Sequence, residues 1–175
     1  MVASGNDFVV VDNRRGIVKN EVAFTRKICR PHQDAGADGV LLFENSKTAN
    51  FKMRILNSDG SEAAACGNGF RCIALYAHDI LKYSSRMIFE SGSGLIEATV
   101  GEKNQIKVQM VKPRIFDMEG MIEVHKQKLR YAFLDTGVPH VVIFTEDLEK
   151  IDVFETGQAI RNHTRFQPFG TNVNF

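Results

Sequence analysis

Between residues 65 and 81 lies the stretch that most limits what this chain can build. Cys66-Gly67-Asn68-Gly69 leads into Phe70, Ile73, Ala74, Ala77, Ile80 and Leu81, which recur at spacings of three and four. That spacing places them on one stripe of a helix. Leu75 and Tyr76 widen the apolar surface, so the helix is predicted to be well buried. A buried helix needs neighbours on every side, and the rest of the chain offers mostly strands. Residues 8–12 (FVVVD) form a short apolar run, read as a buried strand. Residues 39–44 and 51–57 read as strands; Phe51, Met53 and Ile55 alternate with Lys52 and Arg54, giving the second one wet face. Further strands are predicted near 87–90, 95–100, 106–110, 128–135 and 140–145. Residues 58–61 are a turn. Outside the central helix, only 21–29, with Asn20 as N-cap and Pro31 after its end, and 155–163 read as helical. Strands do not alternate strictly with helices, so the fold class is α+β with mixed or antiparallel sheets.

Lys112-Pro113 marks a boundary, which divides the chain into 1–112 and 113–175. The second stretch supplies only a few strands and one weak helix, thin for an independent domain. Residues 170–175 read as a turn entering a strand. With 22 basic and 21 acidic residues, the formal net charge is +1, and there is no basic run. That argues against nucleic acid as a partner. No apolar run approaches the ~18 residues of a membrane span. Residues 1–12 do not read as a signal peptide. Three cysteines, Cys29, Cys66 and Cys72, are an odd and sparse count, which favours reduced thiols and a cytoplasmic location.

Cys66 falls just before the buried helix. A helix N-terminus carries partial positive charge and unpaired N–H groups, which stabilise a thiolate. Gly67 and Gly69 let a ligand approach the backbone closely. Free N–H groups beside a thiol also suit a substrate carboxylate. The arrangement reads as a thiol base or nucleophile next to an anion cradle; the plainer alternative is a small buried residue before a helix. Cys72 reads as packing and Cys29 as inert. A Cys66–Cys72 disulfide or shared metal fits no usual zinc spacing, and no metal site is expected. His140, in Gly137-Val138-Pro139-His140, could pair with Cys66 as a thiol catalyst or simply end a strand. Asn6 and Asp7 precede the first strand, Asn57 ends the fourth element and Asn172 lies near the last residue. Asparagine donates and accepts, which suits an amino-acid ligand, although each alone reads first as a turn residue. Asp38-Gly39 likewise reads as a turn. Ser91-Gly92-Ser93-Gly94 is a turn between strands, not a nucleotide loop.

Several of these segments, in order, make the chain resemble the diaminopimelate epimerases. They are residues 5–12, Gly36-Ala37-Asp38-Gly39, residues 54–61, Cys66-Gly67-Asn68-Gly69-Phe70-Arg71-Cys72, Thr136-Gly137-Val138-Pro139-His140 and residues 171–175. The resemblance implies a sheet wrapped around a central helix in each of two pseudo-symmetric halves. It implies a cofactor-independent isomerase that interconverts LL- and meso-diaminopimelate, a precursor of lysine and peptidoglycan. One thiolate removes the α-proton and an opposite thiol delivers one. Carried over, Cys66 is a catalytic thiol and His140 tunes it or shuttles protons. Gly67 and Asn68 bind the substrate carboxylate, and Asn6, Asn57 and Asn172 hold its polar groups. Gly39 stands where many members carry a glutamine contact, and Val138 replaces a common asparagine. The partner is a small amino acid, and a homodimer is left open. Members are longer: beyond the segment matching 171–175 they carry a Glu-Arg pair and a second Cys-Gly-Ser/Thr-Gly motif, and they place a strand before the residue matching Met1. On this reading residues 1–112 are the N-terminal epimerase half and 113–175 part of the second. The second catalytic cysteine is then missing. Impaired chemistry, exposed apolar surface and association or poor solubility are expected. Two other readings stand beside this one: a Cys66–His140 thiol hydrolase and a non-catalytic amino-acid-binding module.

Overall fold

The computed structural model describes residues 1–175. Packing separates them into two compact units, Met1–Met110 and Val111–Phe175.

The first unit runs β1 (Val2–Ala3), β2 (Asn6–Asp12), α1 (Glu21–Ile28), β3 (Gly39–Glu44), β4 (Phe51–Asn57), β5 (Glu62–Ala63), α2 (Gly67–Asp79), β6 (Arg86–Ser91), β7 (Gly94–Val100) and β8 (Ile106–Gln109). Its strands form one mixed sheet in the order β1-β2-β3-β4-β6-β7-β8, with β5 beside β4. The β2–β3 and β4–β6 pairs are parallel and the others antiparallel. Strands from both ends of that order, β1 and β8, pack on α2. The sheet therefore wraps around the helix, as an α+β fold of this type requires.

Strand β3 shows why its sequence is apolar throughout. Leu41 and Phe43 face the α2 side, packed with Phe51, Met53, Phe70, Ile73 and Phe89. Val40 and Leu42 face the other side, with Cys29, Leu56, Phe24 and Ile28. A strand covered on both faces reads as a continuous hydrophobic run. Phe70, Ile73, Ala74 and Ala77 of α2 are buried, as the spacing predicts. Ile80 is a correction: it is 64% exposed, because the helix ends at Asp79 and Ile80 is its C-cap. Asn20 caps α1, its Oδ1 accepting the N–H of Ala23 at 3.0 Å. Asn6 and Asp7, expected before the first strand, belong to it.

The second unit contains β9 (Arg114–Val124), β10 (Gln127–Asp135), β11 (Pro139–Ile143), α3 (Val153–Arg161) and β12 (Asn172–Asn174). The sheet order is β12-β11-β10-β9, and only the β11–β12 pair is parallel. Ile122, Val124, Tyr131, Val141, Ile143, Ile160 and Phe166 form a core of its own. The stretch expected to be thin is thus completed by β9, a strand the sequence pattern does not reveal. Its register with β10 shifts between the positions facing Tyr131 and Phe133, which breaks the period of two. Helix α3 starts two residues before the predicted 155, because the Asp152 carboxylate accepts the N–H of Glu155 at 2.9 Å. No helix is long and apolar enough to cross a membrane.

Candidate active site

In the first unit, three strand ends and one helix start meet. Strand β2 begins at Asn6, β3 begins at Gly39 opposite Phe8, and β4 ends at Asn57 opposite Gly39. Helix α2 begins at Gly67, and Cys66 is its N-cap. The Cys66 backbone is extended, and its Sγ accepts the N–H of Gly69 at 3.4 Å. The Cys66 carbonyl takes the N–H of Phe70 at 2.9 Å, the first turn of the helix. The N–H groups of Gly67 and Asn68 belong to the set of helix-start donors that no intrahelical carbonyl can reach. Gly69 is buried, and a side chain there would crowd Leu41 and Met53, each 3.2 Å from the Cβ position. That close packing seats the start of the helix on the sheet.

Asn68 joins the helix start to β2. Its Nδ2 donates to Asn6 Oδ1 at 2.5 Å. The Nδ2 of Asn6 donates to Asp38 Oδ2 at 3.3 Å, and the N–H of Asp7 donates to the same oxygen at 3.1 Å. On the other side, Arg71 donates to Asn68 Oδ1 and, at 3.1 Å, to the hydroxyl of Ser4. Asn57 is exposed and lies apart from this chain of bonds. Its Nδ2 donates to Ser61 Oγ at 3.0 Å, and its N–H donates to the Ser61 carbonyl at 2.8 Å. At Gly39, an added Cβ would come within 2.6 Å of the Leu56 carbonyl oxygen, so any side chain there needs a shifted backbone.

All three cysteines are free thiols, and only Cys66 is not buried. Burial pushes the thiols of Cys29 and Cys72 up, which keeps them protonated. No three His, Cys, Asp or Glu side chains gather in a group that could hold a metal ion. Ser91 and Gly94 pair across the hairpin between β6 and β7.

The second unit holds His140 and Asn172. His140 is on β11, with Leu134 beside it on one side and Asn172 on the other. Its Nδ1 is 3.1 Å from Nδ2 of Asn174, a donor that also reaches the Val141 carbonyl at 3.4 Å. The preceding turn is held by the N–H of Gly137 on the Asp135 carboxylate, at 2.7 Å. The structure thus gathers Asn6, Cys66, Gly67 and Asn68 at one helix start and sets His140 beside Asn172. Asp38, Arg71 and Ser4 join the row of hydrogen bonds at that helix start, and sequence reasoning does not single them out for it. Asp38 reads as a turn, and Arg71 lies in the cysteine motif with nothing in the sequence to show its reach back to Asn68.

The diaminopimelate epimerase family matches this chain over residues 1–116. A diaminopimelate epimerase of Aquifex aeolicus (strain VF5) is 42% identical over 185 residues, which cover 98% of this chain and 65% of the relative. Another, of Hydrogenobaculum sp. (strain Y04AAS1), is 39% identical over 98% of this chain and 66% of the relative. A third, of Chlorobaculum tepidum, is 36% identical over 100% of this chain and 67% of the relative. The chain spans about two thirds of the length of these curated relatives. Among solved structures, a Bacillus anthracis phenazine biosynthesis protein of the PhzF family superposes with a TM-score of 0.62 at 20% identity, over 92% of this chain and 57% of that one. A hydroxyproline epimerase from Agrobacterium vitis gives 0.57 at 16% identity, over 78% of this chain and 42% of that one. At these identities the likeness concerns the fold alone.

Proposed function

The chain belongs to the diaminopimelate epimerase family, and on that premise we propose that its first unit is the Cys66 half of a cofactor-independent amino-acid epimerase acting on LL- and meso-diaminopimelate. The observation that carries the reading is the seat of Cys66: a partly exposed thiol, capping a helix, beside donors suited to a carboxylate.

In the proposed reaction the Cys66 thiolate takes the α-proton, and the electron pair left on the α-carbon is shared with the substrate carboxylate. The N–H groups of Gly67 and Asn68 stabilise that charge. A thiol on the opposite face gives a proton to the carbon, which inverts it and leaves a thiolate there. The family resemblance gives Asn6 and Asn57 of the first unit, and Asn172 of the second, the polar groups of the substrate, and it gives His140 the tuning or relay of protons. The second unit is read as part of the pseudo-symmetric second half. Cys29 and Cys72 are buried, so Cys66 is the one thiol of these 175 residues fit for the work. Inversion by this chain alone is therefore expected to be slow, since a positioned acid contributes roughly 10²–10⁴-fold. The odd, sparse cysteine count supports a cytoplasmic setting for this reaction, and a homodimer belongs to the same reading.

The test is α-hydrogen exchange. The purified chain is incubated with LL-diaminopimelate in deuterated buffer, and deuterium and stereochemistry are read at each α-carbon. Slow exchange that Cys66→Ala abolishes is the expected result. Exchange indifferent to Cys66→Ala would sink the assignment. Binding without any exchange would favour a binding module, and a trapped thioester would favour a hydrolase. Fast formation of deuterated meso product would mean that a second acid is supplied.

A further inference from the structure

We propose that Arg71 and Asp38 are positioning residues that fix which way the amides of Asn68 and Asn6 face, and so set the donors that the helix start presents to a ligand. The inference deepens the reading of Asn6 and Asn68 as ligand-binding residues and rests on it.

An asparagine amide offers oxygen on one side and NH₂ on the other, and either orientation fills the same space. Two asparagines bonded to each other could run in either direction. Here both ends of the row are groups of one polarity. Arginine has only donors, and an ionised aspartate has only acceptors. Arg71 donates to Asn68 Oδ1, which turns the NH₂ of Asn68 toward Asn6. Asn68 Nδ2 donates to Asn6 Oδ1 at 2.5 Å, and this turns the NH₂ of Asn6 toward Asp38, 3.3 Å away. The direction Arg71, Asn68, Asn6, Asp38 is therefore imposed by the charges at its ends. Each asparagine is left with one further amide hydrogen, so the row adds N–H donors to those of the helix start. Such a surface suits a carboxylate and opposes an ammonium group.

Both ends are anchored by other parts of the fold. Arg71 also donates to Ser4 Oγ at 3.1 Å, in the turn between β1 and β2. The Asp38 carboxylate accepts the N–H of Asp7 at 3.1 Å, and the Asp38 N–H reaches the Asp7 carbonyl at 3.1 Å. Three segments distant in sequence, 4–7, Asp38 and 68–71, are thus tied into one row.

The side-chain NH₂ resonances of Asn6 and Asn68 in the ¹⁵N-labelled chain test this directly. Arg71→Met is expected to shift both pairs, and Arg71→Lys, which keeps a donor, to restore them while the backbone spectrum stays folded. In an Asn68→Ala background Arg71→Met should no longer move the Asn6 pair. An Asn6 pair that ignores Arg71→Met, or that still shifts when Asn68 is gone, overturns the relay. Where diaminopimelate binds the unmodified chain, Arg71→Met should weaken binding about tenfold or more, the scale of one charge-assisted hydrogen bond, and Arg71→Lys should recover most of it. Undiminished binding in Arg71→Met also overturns the proposal. If the unmodified chain binds no diaminopimelate, the functional reading fails, and the resonances still decide the relay.

Discussion

The thiol sulfur of Cys66 accepts the backbone N–H of Gly69 at 3.4 Å, so the residue proposed as the proton carrier is also the cap of its helix. The two roles separate by substitution. Cys66→Ser keeps a capping acceptor but offers a hydroxyl far too weak in acidity for the chemistry. Cys66→Ala removes both. Both variants are expected to lose α-hydrogen exchange. Cys66→Ala should be less stable than Cys66→Ser by about 1 kcal/mol, the usual cost of replacing a serine cap with alanine. Urea unfolding of the two variants, run beside the exchange assay, checks the pair of outcomes.

Thr25 lies on the buried face of α1, fully shielded from solvent, and its hydroxyl has no hydrogen-bond partner. Valine has nearly the same shape and no polar atom to desolvate. Thr25→Val is expected to raise stability by about 1 kcal/mol, because an unsatisfied buried hydroxyl is lost and the packing is kept. Loss of stability in a thermal melt would show that the hydroxyl finds a partner in solution.

Gly60 sits in the turn after β4 with φ of +85°, and its N–H donates to the Asn57 carbonyl at 2.8 Å. An added Cβ would lie 2.8 Å from Cγ1 of Val22 on α1. Gly60→Ala meets both a left-handed backbone and a crowded neighbour. A loss of about 1 kcal/mol or more is expected in denaturant unfolding. Gly94→Ala is the control, since Gly94 has φ of +112° but open space around its Cβ position. It should show the backbone cost alone and be the milder of the two.

The first unit was legible where one physical cause set the pattern. Strands 39–44 and 51–57 fall where burial on two faces or one dictates their sequence, and Cys66 stands at the helix start that its glycines announce. Ile80 misled because an apolar stripe does not say where a helix stops. Strand β9 was hidden because its register shift breaks the alternation that marks a strand. The site residues visible in sequence were those inside motifs. Asp38 and Arg71 act through contacts 32 and 3 residues away, and no local pattern records which amide each one meets. The segments that carry the family resemblance include Asp38 and Arg71 beside Asn6, Cys66 and Asn68, but the resemblance gives those two charges no role.

Arg54 gives the last prediction, on acid stability. It lies on the wet face of β4 and gathers three carboxylates. Its guanidinium meets both oxygens of Glu62, at 2.9 and 2.8 Å, and it reaches Glu21 at 2.7 Å and Glu44 at 3.5 Å. Those bonds tie α1, β3 and β5 to the strand. The hydrogen bonds from Arg54 hold the Glu62 carboxyl below its ordinary value of 4.5, against the opposing effect of burial. A carboxylate with a lowered value stabilises the fold fully above its unfolded value. That contribution disappears as pH falls through the lowered one. Stability should therefore decline as pH drops below about 4.5. Glu62 is 45% exposed, so solvent screens the pair and its contribution is modest. Arg54→Met should lower stability at neutral pH, where three carboxylates lose their shared cation. It should also flatten the decline below pH 4.5. The slope that remains would come from other paired acids, such as Asp12, which Arg14 holds low. Urea midpoints between pH 3 and 7 measure both effects. An unchanged acid slope in Arg54→Met would show that Glu62 draws no stability from this pair.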